Sequence, residues 1–142
     1  MCLSLCVVLQ CNFAMALEDK AELEMQREIT HLLSFVKHTQ CKYERNGKRH
    51  NGSDAVKHIK KKYAYYQEDI GSTEAFIELS ASKSSLSGQP YIIHCSGQKA
   101  ISSNTWLTQE LKRWRNTQVH TAADTRTTFY DISGIRNYQV TR

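Results

Sequence analysis

The chain has 142 residues, with 19 Lys and Arg against 14 Asp and Glu, and 40% of its residues are hydrophobic. This length favours one domain, and a composition with six Gly and one Pro excludes a disordered, collagen-like or low-complexity chain. No continuous apolar stretch approaches the roughly 18–20 residues that a membrane-spanning helix needs, which excludes a polytopic membrane protein.

The beginning of the chain differs in composition from the rest. Residues 1–16 contain no charged residue, and the first charge is that of Glu18. An apolar run over residues 3–9 is followed by Ala14-Met15-Ala16, a small-x-small pattern typical of a signal peptidase site. We therefore predict a cleaved signal peptide over residues 1–16, and a periplasmic or secreted mature protein that does not span a membrane. An apolar N-terminal helix docked on the core is the alternative.

Export decides how the cysteines are interpreted. Three of the five cysteines lie in the predicted leader, so that only Cys41 and Cys95 remain after cleavage. In an oxidising compartment such a pair usually forms a disulfide, which contributes on the order of 3–4 kcal/mol for a loop of this length. We predict a Cys41–Cys95 disulfide and no metal site. A zinc site with His38 and His94 is the alternative, but adjacent strand residues such as His94 and Cys95 point to opposite faces.

Apolar spacing predicts the first elements of the mature chain. A helix over residues 17–39 has an apolar stripe formed by Met25, Ile29, Leu32, Leu33 and Val36. A short strand over residues 40–45 follows, and Asn46-Gly47 is a turn signal.

Further helices and one strand are predicted in the rest of the domain. Ser53 is the expected cap of a second helix, whose core face is formed by Val56, Ile59, Tyr63, Tyr66 and Ile70. A helical stripe continues over residues 75–81, and residues 90–95 form the strongest predicted strand. Ser103 or Asn104 caps a last amphipathic helix that reaches Arg115.

These elements predict an α+β fold that is mostly helical. About three helices pack on a small, two-stranded, hairpin-like sheet, because a sheet of this size needs helices to cover one face. The strands that carry Cys41 and Cys95 are expected to be partners or near neighbours. We expect one globular domain over residues 17–115 and a loosely ordered tail over residues 116–142.

Several segments together resemble a known family. They are ITHLLSFV (29–36), CKYERNG (41–47), HIKKKY (58–63), ASKSSLSGQPY (81–91) and Trp106-Leu107. This order resembles the YfeK-like family, domain of unknown function 5329, over residues 28–115. Because its members are small exported proteins of Gram-negative bacteria, the resemblance implies export. It implies no activity, ligand or catalytic residue.

Positive charge is concentrated in one segment. Nine Lys or Arg lie between Lys37 and Lys62 against Glu44 and Asp54, a local net charge of nine minus two, or +7. With the neighbouring tyrosines this charge predicts a cationic, aromatic surface, although a merely solvated helix face is the alternative. The candidate binding residues are Lys57, Lys60, Lys61, Lys62, Lys83 and Tyr91. For an exported protein we expect an anionic envelope component or another envelope protein as partner, and no nucleic acid.

The sequence favours an uncharacterised, non-enzymatic interaction or structural module with a basic surface. Ser80 and Lys83 have the S-x-x-K spacing of enzymes that use a Ser nucleophile and a Lys base, but the companion motifs of those enzymes are missing. The runner-up is therefore a small hydrolase or ligand-binding protein with a pocket formed by Ser80, Lys83, Ser84 and Tyr91. No catalytic residue and no cofactor is predicted. A cytosolic nucleic-acid binder requires that the leader prediction be wrong.

Overall fold

A computed structural model describes residues 5–132 of the chain and the side chains of residues 19–121. Its main elements are α1 (Leu5–His38), β1 (Lys42–Arg45), β2 (Lys48–His50), α2 (Gly52–Tyr65), α3 (Thr73–Phe76), β3 (Ile92–His94), β4 (Ile101–Ser102) and α4 (Ser103–Ile132). A 3₁₀ turn precedes α3 at Gln67–Asp69, and a π-helical turn continues it at Ile77–Ala81. The predicted α+β class is confirmed, but this part of the chain has four α-helices and four strands, not three and two.

The four strands form one antiparallel sheet in the order β2-β1-β3-β4. The two predicted strands pair as β1 and β3, with Tyr43 opposite Ile93. Asn46 (φ 50°) and Gly47 (φ 73°) connect β1 to β2, and positive φ at both turn residues matches the right-handed twist of a tight hairpin. The strands β2 and β4 were missed because they have three and two residues, too few to show an alternating apolar pattern.

The start of α2 depends on close contact with α1. Asn51, not the predicted Ser53, is the cap, since its Oδ1 accepts a hydrogen bond from the Asp54 N–H at 2.8 Å. At Gly52 a Cβ atom would lie 2.1 Å from the Val36 carbonyl oxygen. Only glycine therefore allows the backbones of the two helices to approach this closely.

One apolar core joins the helices to the sheet. It contains Met25, Ile29, Leu32, Val36, Tyr43, Ala55, Val56, Ile59, Ile70, Phe76, Ile77, Ala81, Tyr91, Ile93, Leu107 and Leu111. Every apolar position that the sequence assigned to the first helix except Leu33 is buried, as the spacing predicts.

The chain divides into two units, Met1–Leu111 and Lys112–Arg142. In the second unit the described residues continue α4 to Ile132, beyond the helix end that we predicted near Arg115. The leader prediction over residues 1–16 lies outside the side chains that the structure describes. Over residues 5–132, no helix combines the length and the apolar character that crossing a membrane requires.

Candidate functional site

An open groove of about 540 Å³ lies between the C-terminal half of α2 and the loop of residues 82–90. We call it the α2 groove. Its lining residues are His58, Lys61, Lys62, Tyr65, Tyr66, Ser85 and Leu86. The groove combines cations, aromatic rings and an aliphatic side chain, a mixture that suits an amphipathic or anionic ligand better than a purely apolar one.

Lys62 lies at the bottom of the α2 groove, where it connects the helix to the loop. Its side chain is buried, and Nζ donates a hydrogen bond to the Lys83 carbonyl oxygen at 2.7 Å. Nζ also lies 5.7 Å from the ring centroids of both Tyr66 and Tyr91, within cation–π range. Burial, reinforced by the charge of Lys83 and opposed by Glu78, lowers the pKa of Lys62. Lys62 therefore has a structural role, because its ammonium group is directed at the Lys83 carbonyl oxygen and the two tyrosine rings.

His58 and Tyr91 form a neutral polar pair beside Lys62. His58 Nε2 and the Tyr91 hydroxyl oxygen are 3.0 Å apart, and the two rings meet edge to face. Burial, followed by the charges of Arg45 and Lys62, lowers the pKa of His58 to about 4. Burial also raises the pKa of Tyr91. Both groups are therefore uncharged at neutral pH, so neither contributes positive charge to the site.

The rim of the groove is exposed and cationic. Lys57, Lys60 and Lys61 all point to solvent, and Lys61 lines the groove directly. Lys57 Nζ lies 3.3 Å from a carboxylate oxygen of Asp54, whereas neither Lys60 nor Lys61 forms an ion pair with the described side chains. Tyr65 shares this rim and is 81% exposed. Lys61 and the Tyr65 ring are thus available to a ligand in the groove, and Lys60 lies on the adjoining face; neither lysine is paired with a described side chain.

The opposite wall of the groove is an ordered loop with an apolar tip. The Ser84 N–H donates to the Gln89 carbonyl oxygen at 2.9 Å, and the Gly88 N–H donates to the Ser84 carbonyl oxygen at 3.0 Å. Leu86 lies at the tip of this loop and is 99% exposed. Because the loop holds its own backbone hydrogen bonds, it displays Leu86 in a defined position.

The structure separates the binding residues that the sequence grouped together. Lys61 and Lys62 line the groove, and Tyr91 lies beneath Lys62 as a fully buried core residue. Lys57 and Lys60 lie on the adjoining solvent face of α2, outside the lining. The run of three lysines therefore contributes two exposed charges and one buried hydrogen-bond donor.

The S-x-x-K segment does not form a nucleophile–base pair. Ser80 is fully buried, and its Oγ has no hydrogen-bond partner within the described part of the chain. Lys83 is exposed, and its Nζ is 2.7 Å from Glu78 Oε1. Ser84 and Tyr91 are buried, and none of these four predicted pocket residues lines the α2 groove.

A disulfide joins Cys41 to Cys95, as the sequence predicts, with the two Cα atoms 4.3 Å apart. It links the start of β1 to the end of β3, at the end of the β1–β3 pair that is remote from Tyr91. Because the Cys41 sulfur is bonded to Cys95, it is not available as a zinc ligand. Among the described residues, no group of three or more His, Cys, Asp and Glu side chains could hold a metal ion.

Three groove residues, His58, Ser85 and Leu86, were not among the binding residues that the sequence predicted, whereas Tyr65 and Tyr66 belong to the tyrosines after the lysine run that were expected on a cationic, aromatic surface. Leu86 offered a signal, as an aliphatic residue in the otherwise polar turn of residues 84–88. His58 gave none, because its role depends on contact with Tyr91, 33 positions away in the chain.

Comparisons with known proteins identify a family for most of the chain. The family model described as "Family of unknown function (DUF5329)" matches residues 23–126, a range that includes the whole α2 groove. The chain matches no curated protein and no solved structure.

Proposed function

The chain belongs to the DUF5329 family of unknown function, and from this premise we propose that it is an exported, non-enzymatic binding protein. Its α2 groove holds a phosphate-bearing, anionic component of the cell envelope. The proposal assigns the charge recognition to Lys61, with Lys60 adding positive charge from the adjoining solvent face of α2, and assigns an uncharged contact to His58, which pairs with Tyr91.

The observation that carries this proposal is an exposed lysine in the lining of an open groove, Lys61, with Lys60 on the adjoining solvent face of α2; neither has an ion-pair partner among the described side chains. Two neighbouring cations already have carboxylate partners, since Lys57 pairs with Asp54 and Lys83 with Glu78. Lys60 and Lys61 have no such partner among the described residues, so an incoming anion need not displace a carboxylate. Ammonium groups form short, charge-assisted hydrogen bonds with phosphate oxygens.

Export is supported by three observations. The uncharged segment 1–16 has the composition of a signal peptide, and the sequence resembles exported YfeK-like proteins. The Cys41–Cys95 disulfide is typical of proteins that fold in an oxidising compartment. In the envelope, phospholipid headgroups are abundant anions, whereas nucleic acids are not.

The binding proposal is tested with a soluble headgroup that lacks acyl chains, glycerophosphoglycerol. Backbone amide NMR of the uniformly labelled protein should show shift changes at residues 58–66 and 85–86 as the ligand is added at low salt. Because the interaction is between exposed charges, the shifts should diminish as salt is raised. The variant Lys60→Glu/Lys61→Glu should abolish them.

A matched control distinguishes a site from a general effect of net charge. Lys20→Glu/Lys99→Glu makes the same change in net charge at two exposed lysines outside the groove. This control should bind like the wild type, and both double variants should keep the unfolding free energy within about 0.5 kcal/mol. Equal loss of binding in both variants, or no shift at the groove in the wild type, would refute the proposed site.

Export is tested separately by fractionating Gram-negative cells that express the full gene. The protein should be found in the periplasm, begin at Leu17, and react with thiol reagents at Cys41 and Cys95 only after reduction. Recovery of the uncleaved chain from the cytoplasm would refute this part of the proposal without affecting the groove.

A further inference from the structure

We propose that the α2 groove is a membrane-docking surface, in which Leu86 and Tyr65 enter the interface of an anionic phospholipid bilayer while Lys61 contacts its headgroups and Lys60 adds positive charge from the adjoining face of α2. This inference rests on the proposed function and names the source of the anion. The observation behind it is that the most exposed aliphatic side chain among residues 19–121, Leu86, and an exposed aromatic ring lie on the two walls of one cationic groove.

Leu86 has the features of an inserting side chain. It is 99% exposed, and its chain neighbours Ser85, Ser87 and Gly88 are too small to prevent its approach to a surface. Inserting a loop into an apolar medium is costly when its backbone groups lose water without replacement. In this loop the Gly88 N–H and the Ser84 N–H already have carbonyl partners, which lowers that cost.

Tyr65 supplies the second contact from the helix side. Its ring is 81% exposed and packs edge to face on Tyr66, with centroids 4.8 Å apart. Tyr66 in turn donates a hydrogen bond to Ser85 Oγ at 3.1 Å, so the helix and the loop are held together. Tyrosine is favoured at the membrane–water interface, because its ring is apolar and its hydroxyl remains hydrated.

The charges around these two side chains are arranged for an anionic surface. Lys60 and Lys61 are exposed and unpaired with the described side chains, and each such cation near an anionic membrane strengthens binding about fivefold. Of the nearby acids, Glu78 is paired with Lys83, and the exposed Glu68 and Asp69 do not line the groove.

The apolar residues decide between a bilayer and a soluble anion. A soluble phosphate compound would need the lysines but would gain nothing from an aliphatic side chain held in solvent at the edge of the site. A bilayer uses both, because charge attraction brings the surface close and apolar burial then holds it. The combination therefore identifies a lipid surface as the partner.

The test is co-sedimentation of the full protein with vesicles of phosphatidylglycerol and phosphatidylcholine, and with vesicles of phosphatidylcholine alone. The wild type should bind the first and bind the second at least about tenfold more weakly. Leu86→Gln should weaken binding to the anionic vesicles about tenfold, since it removes the buried aliphatic side chain. Leu86→Phe should retain binding.

Leu23→Gln is the matched control, because Leu23 is an exposed leucine (53%) on α1 outside the groove. It should bind vesicles like the wild type. Equal binding by Leu86→Gln and the wild type would overturn the inference, and so would equal binding to both kinds of vesicle. Groove shifts with glycerophosphoglycerol but no vesicle binding would refute membrane docking while the proposed function stands. Absence of both would refute the two together.

Discussion

Two parts of one lysine run differ completely in their surroundings. Lys60 and Lys61 are solvated and unpaired with any described side chain, whereas Lys62 is buried against Tyr66 and Tyr91. Three successive helical residues span about 200° around the axis, so a charge run on a helix cannot form one surface. The outer lysines are available to a ligand, and the inner lysine belongs to the packing that shapes the groove.

The division into a buried and an exposed face extends along the whole of α2. Its inner face begins at Gly52 against α1, continues through Ile59 in the core, and ends at Lys62. Its outer face carries Lys57 and Lys61. If this distinction is correct, changes on the inner face alter stability and changes on the outer face alter binding.

The largest expected effect is at the first turn of the inner face. In Gly52→Ala the new Cβ would lie 2.1 Å from the Val36 carbonyl oxygen and 2.8 Å from that of Lys37. Because both atoms belong to the backbone, α1 and α2 must separate, which should cost about 3 kcal/mol of unfolding free energy. Urea unfolding monitored by circular dichroism measures this loss.

Gly71→Ala is the control for this prediction. Nothing lies within 4 Å of a Cβ at Gly71, so this variant should stay within about 0.5 kcal/mol of the wild type. If Gly52→Ala were as stable as Gly71→Ala, the close packing of α2 on α1 would be wrong.

A smaller difference in unfolding free energy is expected between substitutions of the adjacent residues Lys61 and Lys62. Lys62→Ala removes the donor to the Lys83 carbonyl oxygen and leaves a void between two tyrosine rings, so it should cost about 1–2 kcal/mol. Lys61→Ala, on the exposed face, should cost less than about 0.5 kcal/mol. Thermal and urea unfolding of the two variants provide the comparison. Equal values would contradict the inner and outer assignment.

The smallest predicted stability effect depends on pH and involves His58. Its pKa is about 4 in the folded protein and 6.5 in the unfolded chain, so between these values the unfolded chain binds more protons. The stability of the wild type should therefore fall as pH decreases from about 6.5 to about 4, by on the order of 1 kcal/mol once solvent screening is allowed for.

Because carboxylates titrate in the same range, the measured quantity is the difference between the wild type and His58→Gln. The wild type should lose more unfolding free energy than the variant on acidification. NMR titration of the His58 ring should give its midpoint directly. Parallel stability curves, or a ring that titrates near 6.5, would show that His58 is not buried against Tyr91 as described.

Much of the framework could be predicted from the sequence, because it depends on local patterns. The spacing of Ile29, Leu32 and Val36 identified the buried face of α1, and Asn46-Gly47 identified a turn whose positive φ angles few other residue pairs adopt. The disulfide followed from counting the cysteines outside the predicted leader.

The candidate groove could be predicted only in part. The cluster of lysines was recognised, but Ser80 and Lys83, which the S-x-x-K spacing grouped together, have different surroundings, since Ser80 is buried in the core and Lys83 is exposed beside Glu78. Local spacing places residues on a helix, but it does not show what lies opposite them.

By itself, the sequence determined the apolar stripes, the tight turn, the cysteine pair and the positive charge, each of which is set by residues close together in the chain or by simple counting. Only the tertiary structure decided that Lys62 is buried while its two neighbours remain exposed, and that Leu86 faces Tyr65 across one groove. The physical reason is that burial depends on packing between residues about twenty positions apart, and no local pattern records which segments will meet.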